Sequence, residues 1–348
     1  MNRVITIEYG QEFKISRNSN IQDNDFFYPI YEQALGQLKE ILQYGEVKDI
    51  KPSQDYLHNI IAFCGERGQG KTSAMLSFSD ALREVNDKQS NNEFVKKISD
   101  LKRKFYVLDS IDPTQMENNE NILSIILSRI FMAFKKYWDK WHERDKGAIV
   151  ARNDLLNGFQ RCYNQIQTIK TNSKATENQN LYEESLQELF NLGDSSNLKT
   201  DLRDIIKEFF KLYDPESHYV LVIQIDDTDL NVKKAYEIVE DLRKYFKLPD
   251  IVILMASKIE QLGEIVEQQF HKDYAVLLQS RIKRDELLHN TTQIALLRSH
   301  TIQDEPRHIA AKYLGKLIPE NRRIYLPDPS AIPDRTEEII TIKYMRNH

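Results

Sequence analysis

One short stretch of the sequence combines glycines, a lysine and hydroxyl side chains at a spacing that suits phosphate chemistry. It reads Gly65-Glu66-Arg67-Gly68-Gln69-Gly70-Lys71-Thr72-Ser73. Glycines let consecutive backbone N–H groups converge on phosphate oxygens, a lysine at this spacing reaches the β- and γ-phosphates, and the next hydroxyl binds Mg²⁺. The sequence therefore predicts that residues 65–73 bind a nucleoside triphosphate, with Lys71 on the phosphates and Thr72 on the metal ion.

The residues on either side of this loop predict the structure that such a loop needs. Before it, residues 59–64 are almost all apolar, as in a buried strand, and after it the sequence is helical from about 71 to 86. A helix that begins at Lys71 directs the positive end of its dipole towards bound phosphate. A strand, a glycine-rich turn and a helix follow one another in the order expected of a phosphate-binding loop.

A second apolar run ends in carboxylates. Residues 218–225 read as a strand buried on both faces, and Asp226, Asp227 and Asp229 follow it. Asp226 is predicted to hold the Mg²⁺, directly or through water, and Asp227 to polarise the attacking water as general base. An acidic cluster after a strand is also typical of a solvated turn, but its place downstream of a phosphate-binding loop favours the functional interpretation.

The alternation of strands and helices predicts an α/β fold. Apolar strands are expected at 59–64, 102–109, 218–225, 251–257 and 323–326, and helical patterns separate them. Strands that alternate with helices form parallel sheets with right-handed crossovers. We therefore expect a parallel sheet of about five strands, flanked by helices and interrupted by a large helical insertion.

Composition limits the class of protein. The chain has 348 residues, a net charge of −5 and two cysteines, Cys64 and Cys162. No segment approaches the roughly 20 apolar residues that span a bilayer, and no Cys/His cluster predicts zinc. We expect an intracellular, cytoplasmic protein with reduced thiols, without a membrane partner, and without the global basic charge of many nucleic-acid binders.

Five segments are expected along the chain. Residues 1–54 would contain a hairpin at 2–14 and a helix at 29–44, residues 55–146 the first part of the nucleotide-binding core, and residues 147–215 a helical insertion. Residues 216–330 would complete the core, and 331–348 would form a tail. The insertion reads equally as helices that extend a crossover and as a surface for a partner protein.

The order of these segments resembles the AAA+, STAND and KAP branch of P-loop NTPases, in which an extra strand lies between the phosphate-loop strand and the acidic strand. The KAP group is the most similar, because its acidic strand reads Asp-Asp-Leu-Asp-Arg and this chain has Asp226-Asp227-Thr228-Asp229-Leu230. A late Tyr313-Leu-Gly-Lys316-Leu-Ile segment and Leu326-Pro327 add a weaker likeness. The resemblance covers about 55–330; the chain departs from it at Leu230 and in its short tail.

This resemblance implies ATP, Mg²⁺ and a conformational or assembly change as the output. It places Ser257, at the tip of the extra strand, on the γ-phosphate. It also implies a homo-oligomer in which an arginine reaches a neighbour's nucleotide, with Arg322 or Arg323 favoured among a candidate set that also includes Arg281, Arg284 and Arg307. KAP-like and STAND ATPases often act in bacterial anti-phage defence beside a separate effector protein.

Three functions remain open from the sequence. The first is a Mg-dependent ATPase, and the second is a nucleotide-gated scaffold that turns over slowly and binds an effector through the insertion. The third is a nucleic-acid-dependent ATPase or loader, against which the acidic balance and the absence of a basic, aromatic stripe argue. No Asn-Lys-x-Asp element indicates guanine recognition, so ATP is preferred on the resemblance alone.

Overall fold

The computed structural model describes the chain in separate ranges. These are residues 3–8, 17, 20–45, 58–86, 90–117, 120–140, 146–172, 193, 196–215, 218–286, 306–327 and 340–345.

Seven strands lie in the described ranges. They are β1 (Arg3–Glu8), β2 (Ile60–Cys64), β3 (Lys104–Val107), β4 (Tyr219–Ile225), β5 (Ile251–Ser257), β6 (Arg323–Tyr325) and β7 (Ile340–Met345). Five of them form one sheet in the order β3-β4-β5-β2-β6, and every neighbouring pair is parallel. The predicted fold class, a five-stranded parallel sheet flanked by helices, is confirmed. The extra strand expected between the phosphate-loop strand and the acidic strand is β5.

The helices connect these strands and cover both faces of the sheet. They are α1 (Tyr28–Gly45), α2 (Lys71–Glu84), α3 (Glu93–Ser99), α4 (Ile122–Lys140), α5 (Lys146–Asn172), α6 (Leu198–Tyr213), α7 (Ala235–Tyr245), α8 (Ile259–Glu286) and α9 (306–317). Among the described residues, no helix combines the length and the apolar character needed to cross a membrane.

Alternation along the strands divides the core into two layers. Ile60, Ala62 and Cys64 of β2 belong to one buried cluster, whereas Ile61 and Phe63 belong to the other. The first cluster includes side chains of α4 to α9, and the second includes side chains of α1, α2 and α3. Because successive strand residues point to opposite faces, apolar residues at every position predict a sheet covered on both sides, which the structure has.

The described part of the helical insertion joins the first of these layers. Phe159 and Cys162 of α5 and Leu202 and Phe209 of α6 are buried in the same cluster as the strand residues. Helices α4, α5 and α6 also contact one another. The helical pattern of the insertion also predicts a helix at 180–192, which lies outside the described residues. Where the structure describes it, the insertion rests on the sheet as an extension of the crossover from β3 to β4.

Two local features go beyond the expectations from the sequence. Strand β1 pairs in parallel with β7. Residues 9–16, which would supply the turn and second strand of the hairpin predicted at 2–14, lie outside the described residues, so that hairpin stays a prediction. Helix α3 was not expected, since its apolar residues Phe94, Val95 and Ile98 follow a polar stretch. It begins at Asn92, whose side chain accepts hydrogen bonds from the Phe94 and Val95 amides, and it packs beside α2.

Candidate active site

The loop after β2 has the backbone conformation that its glycines predict. Gly68 and Gly70 both have φ of 87°, in the left-handed region that glycine adopts without strain. A Cβ at Gly70 would lie 2.8 Å from Cζ of Phe27, so the close approach of this ring also requires glycine. The Gln69 side chain turns back and accepts a hydrogen bond from the Glu66 amide at 2.7 Å, which braces the loop.

Lys71 and Thr72 open α2 at the end of this loop. The Lys71 residue is only 7% exposed, and its ammonium donates to the Glu66 carbonyl at 3.0 Å, across the turn. The Thr72 hydroxyl donates to Asp226 Oδ1 at 2.9 Å. That hydrogen bond joins residues 154 positions apart in the sequence. The two clusters that the sequence predicted to form one site are therefore in direct contact.

Asp226 and Asp227 leave the carboxyl end of β4 at the same edge of the sheet. The Asp226 amide donates to the Ile111 carbonyl at 2.8 Å, so the chain after β3 supports this tip. Asp227 has φ of 46°, and its amide donates to Asp226 Oδ1 at 3.0 Å. A left-handed aspartate costs local strain, which is common at functional sites.

Both carboxyl groups have raised pKa values. Burial raises the pKa of Asp226 to about 6 and outweighs the hydrogen bond from Thr72, which lowers it. Burial also raises the pKa of Asp227, and Asp229 raises it further, while the charges of Lys71 and Arg67 act in the opposite direction. Asp227 therefore lies within the electrostatic reach of Lys71.

Ser257 does not present a free hydroxyl at the tip of β5. Its residue is fully buried, and its hydroxyl donates to Asp229 Oδ1 at 2.9 Å; the Lys258 amide donates to the same oxygen at 2.9 Å. The next side chain reaches the loop instead, because the Lys258 ammonium lies 2.7 Å from Glu66 Oε2. Asp229 thus fixes the tip of β5 to the segment after β4, and Lys258 is the cation at this position.

The remaining loop residues surround the same cradle. Glu66, Arg67 and Gly68 are exposed, while Gly65, Gln69 and Ser73 are partly buried. The amide groups of an exposed glycine-rich turn at the beginning of a helix are available to an anion. Residues 65–70 therefore form one continuous loop, and Lys71, Thr72 and Ser73 follow it in the first turn of α2.

Asp112 is a further carboxylate at this edge of the sheet, and it is absent from the candidate residues that the sequence indicates. Its negative charge contributes to the raised pKa values of both Asp226 and Asp227. It also begins a short 3-10 helix, accepting hydrogen bonds from the amide and hydroxyl of Thr114. Its position after β3, which neighbours β4 in the sheet, was the signal that could have identified it.

The two arginines that the resemblance favoured for a neighbour's nucleotide are held inside their own chain. Arg322 has a side chain that is 5% exposed, and it donates to the carbonyls of His58 and Gln37 and to the Glu40 carboxylate. Arg323 donates to the Ile318 carbonyl and to Glu320. Arg307 is exposed on α9, and the side chains of Arg281 and Arg284 lie outside the described set.

The protein groups fit a magnesium ion whose ligands come mostly from phosphate and water. Among the described residues, no group of three or more His, Cys, Asp or Glu side chains could hold a metal ion by itself. Mg²⁺ usually takes one or two protein oxygens and keeps waters and substrate phosphates as its other ligands. The Thr72 hydroxyl and the Asp226 carboxylate, already 2.9 Å apart, supply such a pair.

Comparisons with known proteins add little to this geometry. No family model matches the chain, and no curated protein matches it. A solved structure of PCH-2 from C. elegans is similar over 71% of this chain and 40% of its own, with 12% sequence identity and a TM-score of 0.28. The chain thus spans two-fifths of that structure. A TM-score of this size carries no functional argument, and the fold assignment rests on the strand order and the loop.

Proposed function

We propose that this chain binds Mg·ATP at residues 65–73 and hydrolyses the bond between the β- and γ-phosphates. The observation that carries the proposal is the hydrogen bond between Thr72 and Asp226. It joins the loop after β2 to the acidic end of β4, and β5 lies between these two strands in the sheet. Binding and hydrolysis would then change the conformation or the assembly of the protein.

In this proposal the chain positions the triphosphate and activates water. Backbone amides of the loop and the Lys71 ammonium bind the phosphate oxygens, and Lys71 exchanges its hydrogen bond with the Glu66 carbonyl for the β- and γ-phosphates. Asp227 accepts a proton from the attacking water, whose oxygen bonds to the γ-phosphorus as the bond to the β-phosphate oxygen breaks. The raised pKa of Asp227 suits this role, because a carboxylate with a higher pKa is a stronger base.

The metal ion has one defined role. When bound, Mg²⁺ would supply positive charge that stabilises the charge developing on the phosphate oxygens. Thr72 and Asp226 would hold it. Burial raises the pKa of Asp226 because it disfavours the ionised carboxylate, and a bound cation would stabilise that ionised form.

In this proposal the γ-phosphate is contacted by Lys258, the residue after β5, and not by Ser257 at the end of that strand. The Ser257 hydroxyl is engaged by the buried Asp229, so a phosphate contact would have to break that hydrogen bond. The Lys258 ammonium already lies over the loop, where it is paired with Glu66, a residue within the phosphate-binding segment. An incoming γ-phosphate competes with the Glu66 carboxylate for this ammonium.

The choice of ATP over other nucleotides and the biological process rest on the resemblance to KAP-like ATPases. A role in bacterial anti-phage defence beside an effector protein, a cytoplasmic location and a homo-oligomeric state are parts of the same proposal.

The direct test is phosphate release from ATP by the purified wild-type protein and by Asp227→Asn. We expect Mg-dependent hydrolysis by wild type and a loss of 100-fold or more in Asp227→Asn, since general-base catalysis contributes about 10²–10⁴ in rate. Asp109→Asn is the matched control, because this carboxylate is exposed after β3 and takes no part in the site. Equal rates in wild type and Asp227→Asn would remove Asp227 from the role of base.

A nucleotide-gated scaffold is the second candidate function, and one observation favours it. Four large apolar side chains are exposed on α4 and α5, namely Met132, Ile149, Val150 and Tyr163. Exposed apolar side chains on these helices would be available to a partner protein. The same assay separates the two functions: a scaffold binds Mg·ATP tightly and releases almost no phosphate.

A further inference from the structure

Two adjacent aromatic residues border the phosphate-binding loop. The Phe27 ring lies against Gly70, so closely that any Cβ at this glycine would collide with it. The Phe26 ring meets the Phe27 ring edge-on, with centroids 5.0 Å apart and planes inclined at 66°. Phe26 is 50% exposed, whereas Phe27 is partly buried. A large aromatic side chain is thus held at the surface next to the loop without contributing to the core.

The orientation of the triphosphate follows from the two ends of the site. Thr72 and Asp226 would hold the metal ion on the side of β4, where it would neutralise the charge of the terminal phosphates. The γ-phosphate therefore points towards β5 and β4, and the α-phosphate and its nucleoside point away from them. In the sheet, β2 has β5 on one side and β6 on the other.

Phe26 and Phe27 lie on the side where the nucleoside leaves. They immediately precede α1, and α1 contacts β6, the strand on the side of β2 opposite to β5. The contact of Phe27 with Gly70 fixes the pair beside the last glycine before Lys71. A base attached through its ribose to the α-phosphate is directed towards these rings.

We propose that Phe26, supported by Phe27, is the stacking surface for the nucleobase. This inference rests on the proposed function, since it assigns the base subsite of the same nucleotide. Stacking of a base on an aromatic side chain stabilises binding and is tolerant of base identity, because every base has a π-face. A purine nucleotide gains the most from it, and the stacking contact by itself distinguishes ATP poorly from GTP.

The test compares ATP with inorganic tripolyphosphate, which has the phosphates but no base. Binding of each, with Mg²⁺, is measured by calorimetry for wild type, Phe26→Ala and Phe26→Tyr. We expect Phe26→Ala to weaken ATP about tenfold or more and to leave tripolyphosphate unchanged, while Phe26→Tyr retains ATP affinity. Tyr163→Ala removes an equally exposed aromatic side chain from α5 and is the matched control, with unchanged affinity for both ligands.

A second variant gives a readout that does not depend on affinity. In Phe26→Trp the indole becomes the stacking surface, so its fluorescence should change with ATP and GTP and stay constant with tripolyphosphate. An equal loss of ATP and tripolyphosphate affinity in Phe26→Ala, or an unchanged ATP affinity, would overturn the proposal. Wild-type protein that binds ATP no more tightly than tripolyphosphate would also overturn it and leave the proposed function standing. Failure of wild type to bind either ligand would instead contradict the proposed function.

Discussion

Asp226 accepts two hydrogen bonds on a single carboxylate oxygen, from the Thr72 hydroxyl and from the Asp227 amide. Together these hydrogen bonds do not offset the effect of burial, because the pKa of this carboxyl is still raised to about 6 from an ordinary 3.8. A group whose pKa rises on folding adds most to stability while protonated, below about pH 4, and this contribution is lost as the pH increases through about 6. At neutral pH the ionised form therefore opposes folding.

Asp226→Asn should consequently stabilise the nucleotide-free protein at pH 7.5, by about 1–3 kcal/mol of unfolding free energy, because one pKa unit corresponds to about 1.4 kcal/mol. The amide retains an oxygen that accepts both hydrogen bonds. Denaturant unfolding at pH 7.5 and pH 4 measures the effect, and the gain should shrink at pH 4. The same variant should lose Mg-dependent hydrolysis. A less stable Asp226→Asn protein at pH 7.5 would contradict the assigned cost of ionisation.

Ser257 and Lys258 are neighbours with separable roles. Ser257→Ala removes a donor from the buried Asp229 and should cost about 1–2 kcal/mol of stability while leaving the preference for ATP over ADP unchanged. Lys258→Ala removes an exposed cation, so it should leave the melting temperature nearly constant and reduce that preference severalfold. Competition binding of ATP and ADP together with thermal unfolding measures both. The reverse pattern would return the γ-phosphate contact to Ser257.

The local sequence predicted which residues meet at the candidate site better than it predicted the individual hydrogen bonds that those residues make. The loop, Lys71, Thr72 and Asp226 follow from spacing and from strand ends, and these residues meet in the structure. Spacing gives no information on which neighbour takes a given hydrogen bond. The engagement of Ser257 by Asp229 depends on how β4 and β5 lie side by side, and the ring of Phe27 reaches Gly70 from a segment more than forty positions earlier.

At the level of elements, apolar periodicity predicted the five strands of the sheet and most of the described helices. It did not predict the pairing of β1 with β7, which joins residues almost a whole chain apart. Nothing local to a strand indicates a distant parallel partner. The sequence does not predict helix α3, because its seven residues include only three buried apolar side chains, which are too few to establish a helical period.

Arg322 ties the segment before β6 to α1 and to His58, two residues before β2. Its side chain donates to two backbone carbonyls and to Glu40, so Arg322→Ala leaves buried acceptors without a donor. We expect a loss of about 2–3 kcal/mol of unfolding free energy, measured in denaturant, with ATP affinity retained in the folded fraction. Arg307→Ala is the control on the exposed face of α9 and should unfold as wild type does.

The variants Arg322→Ala and Arg307→Ala also test whether Arg322 is the arginine that reaches the nucleotide of a neighbouring subunit. If Arg322 were that residue, Arg322→Ala would fold stably and lose hydrolysis at unchanged ATP affinity.

On the scale of the whole molecule, nucleotide binding is expected to change assembly. The site lies at the carboxyl edge of the sheet, and two apolar residues just beyond the acidic tip, Leu230 and Val232, are exposed there. Light scattering coupled to size exclusion should show a larger mass with Mg²⁺ and a non-hydrolysable ATP analogue than without them. A monomeric mass under both conditions, together with steady turnover, would contradict coupling between binding and assembly.

The central claim is that the loop after β2 and the tip of β4 bind one Mg·ATP together. Calorimetric titration of a non-hydrolysable ATP analogue into wild type, Lys71→Ala and Thr72→Ala, each with Mg²⁺ and with EDTA, tests it most directly. We expect Mg-dependent binding by wild type, loss of most affinity in Lys71→Ala, and an affinity for Thr72→Ala that no longer responds to Mg²⁺. Equal affinities in all three proteins, or no binding by wild type, would contradict it.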